Sequence, residues 1–177
     1  MMTSLTKYLR WCLVVWVLLY MSLTVSAQTY RSPELRQTDL STARQKLMHA
    51  EVFNLGGVGF GQTITPEEKA FRTILGSIDP VKMFQQLLKA ANPEGQLYAL
   101  LGLHLTAPEV FRTEVERIDA NGGLPEHAES LMAIANGEVR VAHGCIFFNA
   151  QFRSMVDAIA NGKWDAAVRA SSGSMIF

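Results

Sequence analysis

Apolar residues recur along most of this chain at helical spacing. Leu40, Ala43, Leu47 and Ala50 form one stripe, and Ala70, Phe71, Ile74 and Leu75 a second. Val81, Phe84, Leu87, Leu88 and Ala91 follow, then Leu97, Leu100, Leu101 and His104. Phe111, Val115 and Ile118 continue the series, as do Ala128, Leu131, Met132 and Ala135. Phe148, Phe152, Met155, Val156 and Ile159 precede a short last segment near Trp164–Val168. All are i, i+3, i+4, i+7 patterns, the mark of amphipathic helices. The segment Leu97–Leu105 is apolar almost all round, which places it at the centre of the core. Gly95, Ala99 and Gly102 give it a small-residue face that a neighbour can approach closely.

The punctuation agrees. Five of the six prolines are followed by glutamate, at Pro33, Pro66, Pro93, Pro108 and Pro125, and the sixth is Asp79-Pro80. Proline suits the first helical position, where its missing N–H costs nothing, and glutamate suits the positive end of the helix dipole. Thr65-Pro66-Glu67-Glu68 reads as a capping box, with Asp79 and Asn92 as further caps. Ala120-Asn121-Gly122, Ala135-Asn136-Gly137 and Ala160-Asn161-Gly162 read as left-handed helix ends. The expected fold is therefore all-α, either a compact bundle or a short solenoid of antiparallel helix pairs. The pairs are 66–75 with 80–91, 93–105 with 108–119, and 125–136 with a helix ending near Ala160. Val139–His143 alternates and is the one short stretch compatible with a strand.

The front of the chain changes the arithmetic. No acidic residue precedes Glu34, Lys7 and Arg10 lead into an apolar run from Trp11 to Val25, and Val25-x-Ala27 is a small-residue cleavage pattern. This predicts a signal peptide over residues 1–27, with one helical domain over 28–177. The alternative is a membrane anchor over residues 11–25, although that run is shorter than the ~20 residues of a spanning helix. The whole chain carries sixteen basic and sixteen acidic residues. Loss of Lys7 and Arg10 leaves fourteen against sixteen, a net charge of −2, and removes Cys12, so Cys145 stands alone. Such a balance lacks the basic excess of a broad nucleic-acid-binding face.

Asn92–Leu103, with the upstream Phe53-Asn54-Leu55-Gly56-Gly57-Val58-Gly59 and the later Gly144-Cys145-Ile146, resembles small exported bacterial proteins of unassigned activity. These include members found in microcin gene clusters. The resemblance spans roughly residues 50–170 and implies a bacterial envelope or secreted protein. It brings no reaction and no catalytic residues.

Three places carry candidate chemistry. Gly56-Gly57-Val58-Gly59-Phe60-Gly61 could bring backbone N–H groups to a phosphate, form a loop that receives a ligand or peptide, or make a tight apolar turn. No Gly-Lys-Ser/Thr follows it, and no strand clearly precedes it. As a binding loop its residues are Phe53, Gly56, Gly57, Gly59, Phe60 and Gly61, bordering an apolar groove. Cys145 lies two residues after His143, a spacing that in extended chain puts both side chains on one face and could activate the thiol. A buried core thiol and an intermolecular disulfide are the other readings. His104 sits on an apolar stripe, and His49 and His127 lack ligand spacing, so neither a metal nor a cofactor is expected. Glu114, Glu116 and Asp119 interleave with Arg112 and Arg117 as a solvated face with internal pairs. The leading expectation is an exported helical binding module with a protein or peptide partner, such as an envelope protein or a second copy. The alternative is a thiol-dependent enzyme centred on Cys145 with His143.

Overall fold

A computed structural model describes residues 33–61, 63–120 and 137–172. The chain divides into two compact units, residues 1–38 and 39–177. Of the first, only residues 33–38 are described, as the opening of helix α1 (Pro33–Met48). The expected signal peptide at 1–27 and the stripe at 128–135 lie outside the described residues.

The second unit is not all-α. It combines helices with a three-stranded mixed sheet, in the order β1 (Phe53–Val58), β2 (Glu138–Gly144), β3 (Ile146–Gln151). β1 runs parallel to β2, with Phe53 opposite Val141 and Val58 opposite Gly144. β3 runs antiparallel to β2, with Val139 opposite Ala150 and His143 opposite Ile146. Between the parallel strands the chain makes the crossover that such pairing requires. The crossover contains α2 (Pro66–Leu75), α3 (Pro80–Ala90), α4 (Pro93–Thr106) and α5 (Pro108–Ala120). After β3 come α6 (Phe152–Ala160) and α7 (Asp165–Ser172).

The helix starts follow local chemistry. Thr65 accepts from the Glu68 N–H at 3.2 Å, Asp79 from Lys82 N–H at 3.3 Å, and Asn92 from Gly95 N–H at 3.1 Å. Each such cap contributes about 1 kcal/mol. Asn92 also donates from Nδ2 to the Ala50 carbonyl at 2.6 Å, tying the start of α4 to the chain leaving α1.

Helix α4 is the hub. Leu97, Tyr98, Ala99, Leu100, Leu101 and Leu103 are fully buried, as expected of a helix apolar on all sides. Its most extensive packing is against α3, and it also meets α2, α5, α6, β1 and β2. A helix touching elements on all sides is not one member of a stacked repeat, so the solenoid finds no support, although α2 packs on α3 and α4 on α5. The small-residue face does receive neighbours. Gly102 lies under the Phe84 ring of α3, and Gly95 lies against the Leu47 carbonyl of α1.

The stripe from Phe148 to Ile159 spans two elements. Phe148 is in β3 and the helix begins at Phe152. The two residues share a parity that serves both a strand and a helix, which is how the strand escapes a helical reading.

Candidate functional site

The glycine segment is mostly a strand. Phe53 is fully buried, its ring centroid 4.8 Å from Tyr98 and 5.2 Å from Trp164. Between Asn54 and Val58 the strand takes four steps while β2 takes two, from Ala142 to Gly144. This irregularity falls at Gly56 and Gly57, whose φ values of 91° and 82° lie in the region that favours glycine.

The bulge turns two N–H groups toward an anion supplied by the protein itself. Glu68 Oε2 accepts from Gly56 N–H at 3.1 Å and from Gly57 N–H at 3.4 Å. Its Oε1 accepts from Arg72 Nε at 3.0 Å and Nη2 at 2.6 Å, while Arg72 Nη1 donates to the Val168 carbonyl at 3.2 Å. A buried carboxylate thus occupies the position where a phosphate would be held. In this geometry Glu68 is committed to the bulge and to Arg72, away from the Thr65 cap.

A second polar cluster adjoins it. Tyr98 Oη accepts from Asn54 N–H at 3.0 Å and reaches the Asn54 carbonyl at 2.9 Å, while Thr65 donates to Asn54 Oδ1 at 2.8 Å. Burial pushes the Tyr98 hydroxyl pKa well above its ordinary value; the Asn54 backbone hydrogen bond opposes this, and the charges of Glu67 and Glu68 add to it. Both clusters fasten β1 to α2 and α4; within them the buried Asn54 Nδ2 has no hydrogen-bond partner among the described residues.

The remaining candidates gather at one end of the sheet. Val58 and Thr63 close a turn that carries Gly59, Phe60 and Gly61, all exposed. Gly59 N–H donates to the Gly144 carbonyl at 3.0 Å, so this turn sits beside the β2–β3 turn at Gly144-Cys145. Gly144, at φ 58°, supplies the left-handed conformation that a two-residue hairpin turn needs. The structure therefore brings the tip of the glycine segment next to the His143–Cys145 segment, though sequence separates them by more than eighty residues.

Cys145 is an exposed free thiol, not a core one. It occupies the turn itself, so the strand alternation that would align it with His143 does not extend to it. The His143 ring stands edge-on to Trp164 at 6.4 Å, and among the described residues no carboxylate orients it by a hydrogen bond. His104 is a packing residue, with its ring 5.1 Å from Phe111 and Nε2 3.4 Å from Asp165 Oδ1. The α5 face holds internal pairs, Arg117 with Glu114 at 2.8 Å, and Asp119 reaches Arg153 at 3.0 Å. Among the described residues no group of three or more His, Cys, Asp or Glu could hold a metal, and no helix is long and apolar enough to cross a membrane.

What the sequence reading missed is β3. Ile146, Phe147 and Phe148 are 66%, 56% and 44% exposed, and Phe60 is fully exposed beside the same sheet end. Ile146 and Phe148 lie on the face of Val139 and Val141, beyond the cover that the described helices give those buried residues. Phe147 lies on the other face, with the Arg140 guanidinium 5.5 Å from its ring centre. The available signal was the unbroken Ile146-Phe147-Phe148 run following Gly144-Cys145, a pair that suits a hairpin turn.

Comparison with known proteins finds no match to a family model, a curated protein or a solved structure.

Proposed function

We propose that the protein is an exported binding module that holds a protein or peptide partner at the apolar end of its sheet. The carrying observation is the exposure of Ile146, Phe147 and Phe148 in succession on one strand, with Phe60 nearby. Isolated apolar residues at a surface are ordinary; three exposed in succession on one strand, with a fourth at the same end of the sheet, mark an interaction surface. Support for export comes from the leader composition of residues 1–27 and from the resemblance to exported bacterial proteins. The thiol-dependent alternative draws support from the exposure of Cys145, and among the described residues no side chain activates or orients the thiol.

The test is site-specific photo-crosslinking in producing cells. A photoreactive residue replaces Phe147 in one variant and Ile78 in another, Ile78 being 88% exposed on the turn before α3. A discrete adduct from position 147 and none from position 78 is expected. Equal or absent crosslinking at the two positions would refute the surface. Intact mass of the recovered protein decides export, with a chain beginning at Gln28 expected.

A further inference from the structure

We infer that the partner is an extended, uncharged, apolar peptide segment that adds to β3 as a fourth strand. This rests on the sheet end being the recognition surface, and it specifies how recognition occurs. β3 is an edge: in the strand order β1-β2-β3 nothing among the described residues pairs with its outer side. An edge strand directs the N–H and C=O groups of alternate residues outward, where they form a template for another strand.

Proteins normally protect such an edge with lysine, proline or an inward charge. Ile146-Phe147-Phe148-Asn149-Ala150-Gln151 has none of these. Its charged neighbours are on β2, one of each sign. Arg140 faces the Phe147 ring, and Glu138 Oε2 accepts from Asn149 Nδ2 at 3.4 Å. A charged segment laid along β3 would find no free counter-charge on the strand, whereas an uncharged one would meet Ile146 and Phe148 on one face and Phe147 on the other.

Area chooses between a peptide and a second copy of this chain. The exposed fractions of Ile146, Phe147, Phe148 and Phe60 correspond to roughly 500 Å² of apolar side chain. A stable protein–protein interface buries about 800 Å² on each partner. Divided between the two faces of the sheet, this area is too small for a stable pair of folded chains and adequate for a single strand, whose main-chain hydrogen bonds supply affinity and whose alternate side chains supply specificity.

The probe is a fluorescein-labelled peptide, acetyl-Thr-Val-Thr-Val-Thr-Val-amide, titrated against the full chain and followed by anisotropy. Hydrogen exchange is read at residues 146–151 in parallel. Saturable binding below 1 mM is expected (roughly 4 kcal/mol at that limit), together with slowed exchange along β3. The same peptide N-methylated at alternate residues keeps its side chains and loses its strand hydrogen bonds; it should bind at least tenfold more weakly. Asn149→Pro should weaken the unmodified peptide similarly. If that variant fails to fold, the N-methylated peptide still decides the matter, because it leaves the protein unchanged.

Equal binding of the two peptides would overturn strand addition, as would no binding at all. Slow exchange along β3 before peptide is added would overturn it as well, by showing the edge already covered by its own chain. Concentration-dependent dimerisation with β3 protection would assign the edge to a second copy instead. If peptide binding fails while crosslinking at position 147 persists, only the strand mechanism falls. If both fail, the binding surface itself is wrong.

Discussion

Glu68 and Arg72 form a buried ion pair one helical turn apart, with the Arg72 Nη2 to Glu68 Oε1 distance at 2.6 Å. The opposite oxygen of the same carboxylate holds the Gly56–Gly57 bulge of β1. Breaking one side of such a pair leaves an uncompensated charge in the interior, at about 3–5 kcal/mol. Glu68→Gln should therefore destabilise the protein by that order in urea unfolding. Glu68→Gln combined with Arg72→Met should cost less than the sum of the single changes, because the stranded guanidinium is gone.

Alkaline pH should unfold the protein through Tyr98. Its native pKa is raised by burial above its unfolded value, so the native state retains the phenolic proton that the unfolded state releases. Stability is then fully present below the unfolded value of about 10 and falls above it, by roughly 1.4 kcal/mol per pH unit for this group. Lys46, whose pKa is raised by its hydrogen bond to Glu67, contributes in the same direction. Tyr98→Phe should flatten the loss above pH 10 in denaturant titrations, at the cost of the Asn54 hydrogen bonds at neutral pH.

Gly102→Ala should destabilise by about 1–3 kcal/mol, as overpacking does. A methyl group there would meet the Phe84 ring, which is itself fully buried and has nowhere to retreat. Gly59→Ala is the control. Its φ of 75° makes alanine unfavourable, but no atom lies near the added methyl, so about 1 kcal/mol is expected. Thermal or urea unfolding of both variants checks the order.

Cys145 should react with a small alkylating reagent in the native protein, without denaturant, because the thiol is exposed on the hairpin turn. Peptide mapping locates the adduct. His143→Ala should leave the rate unchanged, since the turn places Cys145 outside the strand alternation that would pair the two residues. A large fall in rate in that variant would restore the activated-thiol reading.

The helices were legible in the sequence because their determinants are local. Thr65, Asp79 and Asn92 lie within three residues of the N–H groups they cap, and an i, i+3, i+4 stripe reports one face without knowing its partner. The centrality of Leu97–Leu103 was legible for the same reason, since a helix with no polar face has to be surrounded. The sheet was not. Phe53–Val58 contains two consecutive glycines and lacks alternation, so no local pattern marks it as a strand. It becomes one because β2, some eighty residues later, supplies its hydrogen bonds, and because Glu68 reaches across from α2 to hold the bulge. The site depended on the same long-range pairing. Phe60 and Ile146 come to one end of the sheet through the register of Val58 with Gly144, and Phe148 is exposed on a strand that, among the described residues, pairs on one side alone. Local sequence sets which residues can form and end a helix; strand partners, edges and the faces left uncovered are properties of the assembled chain.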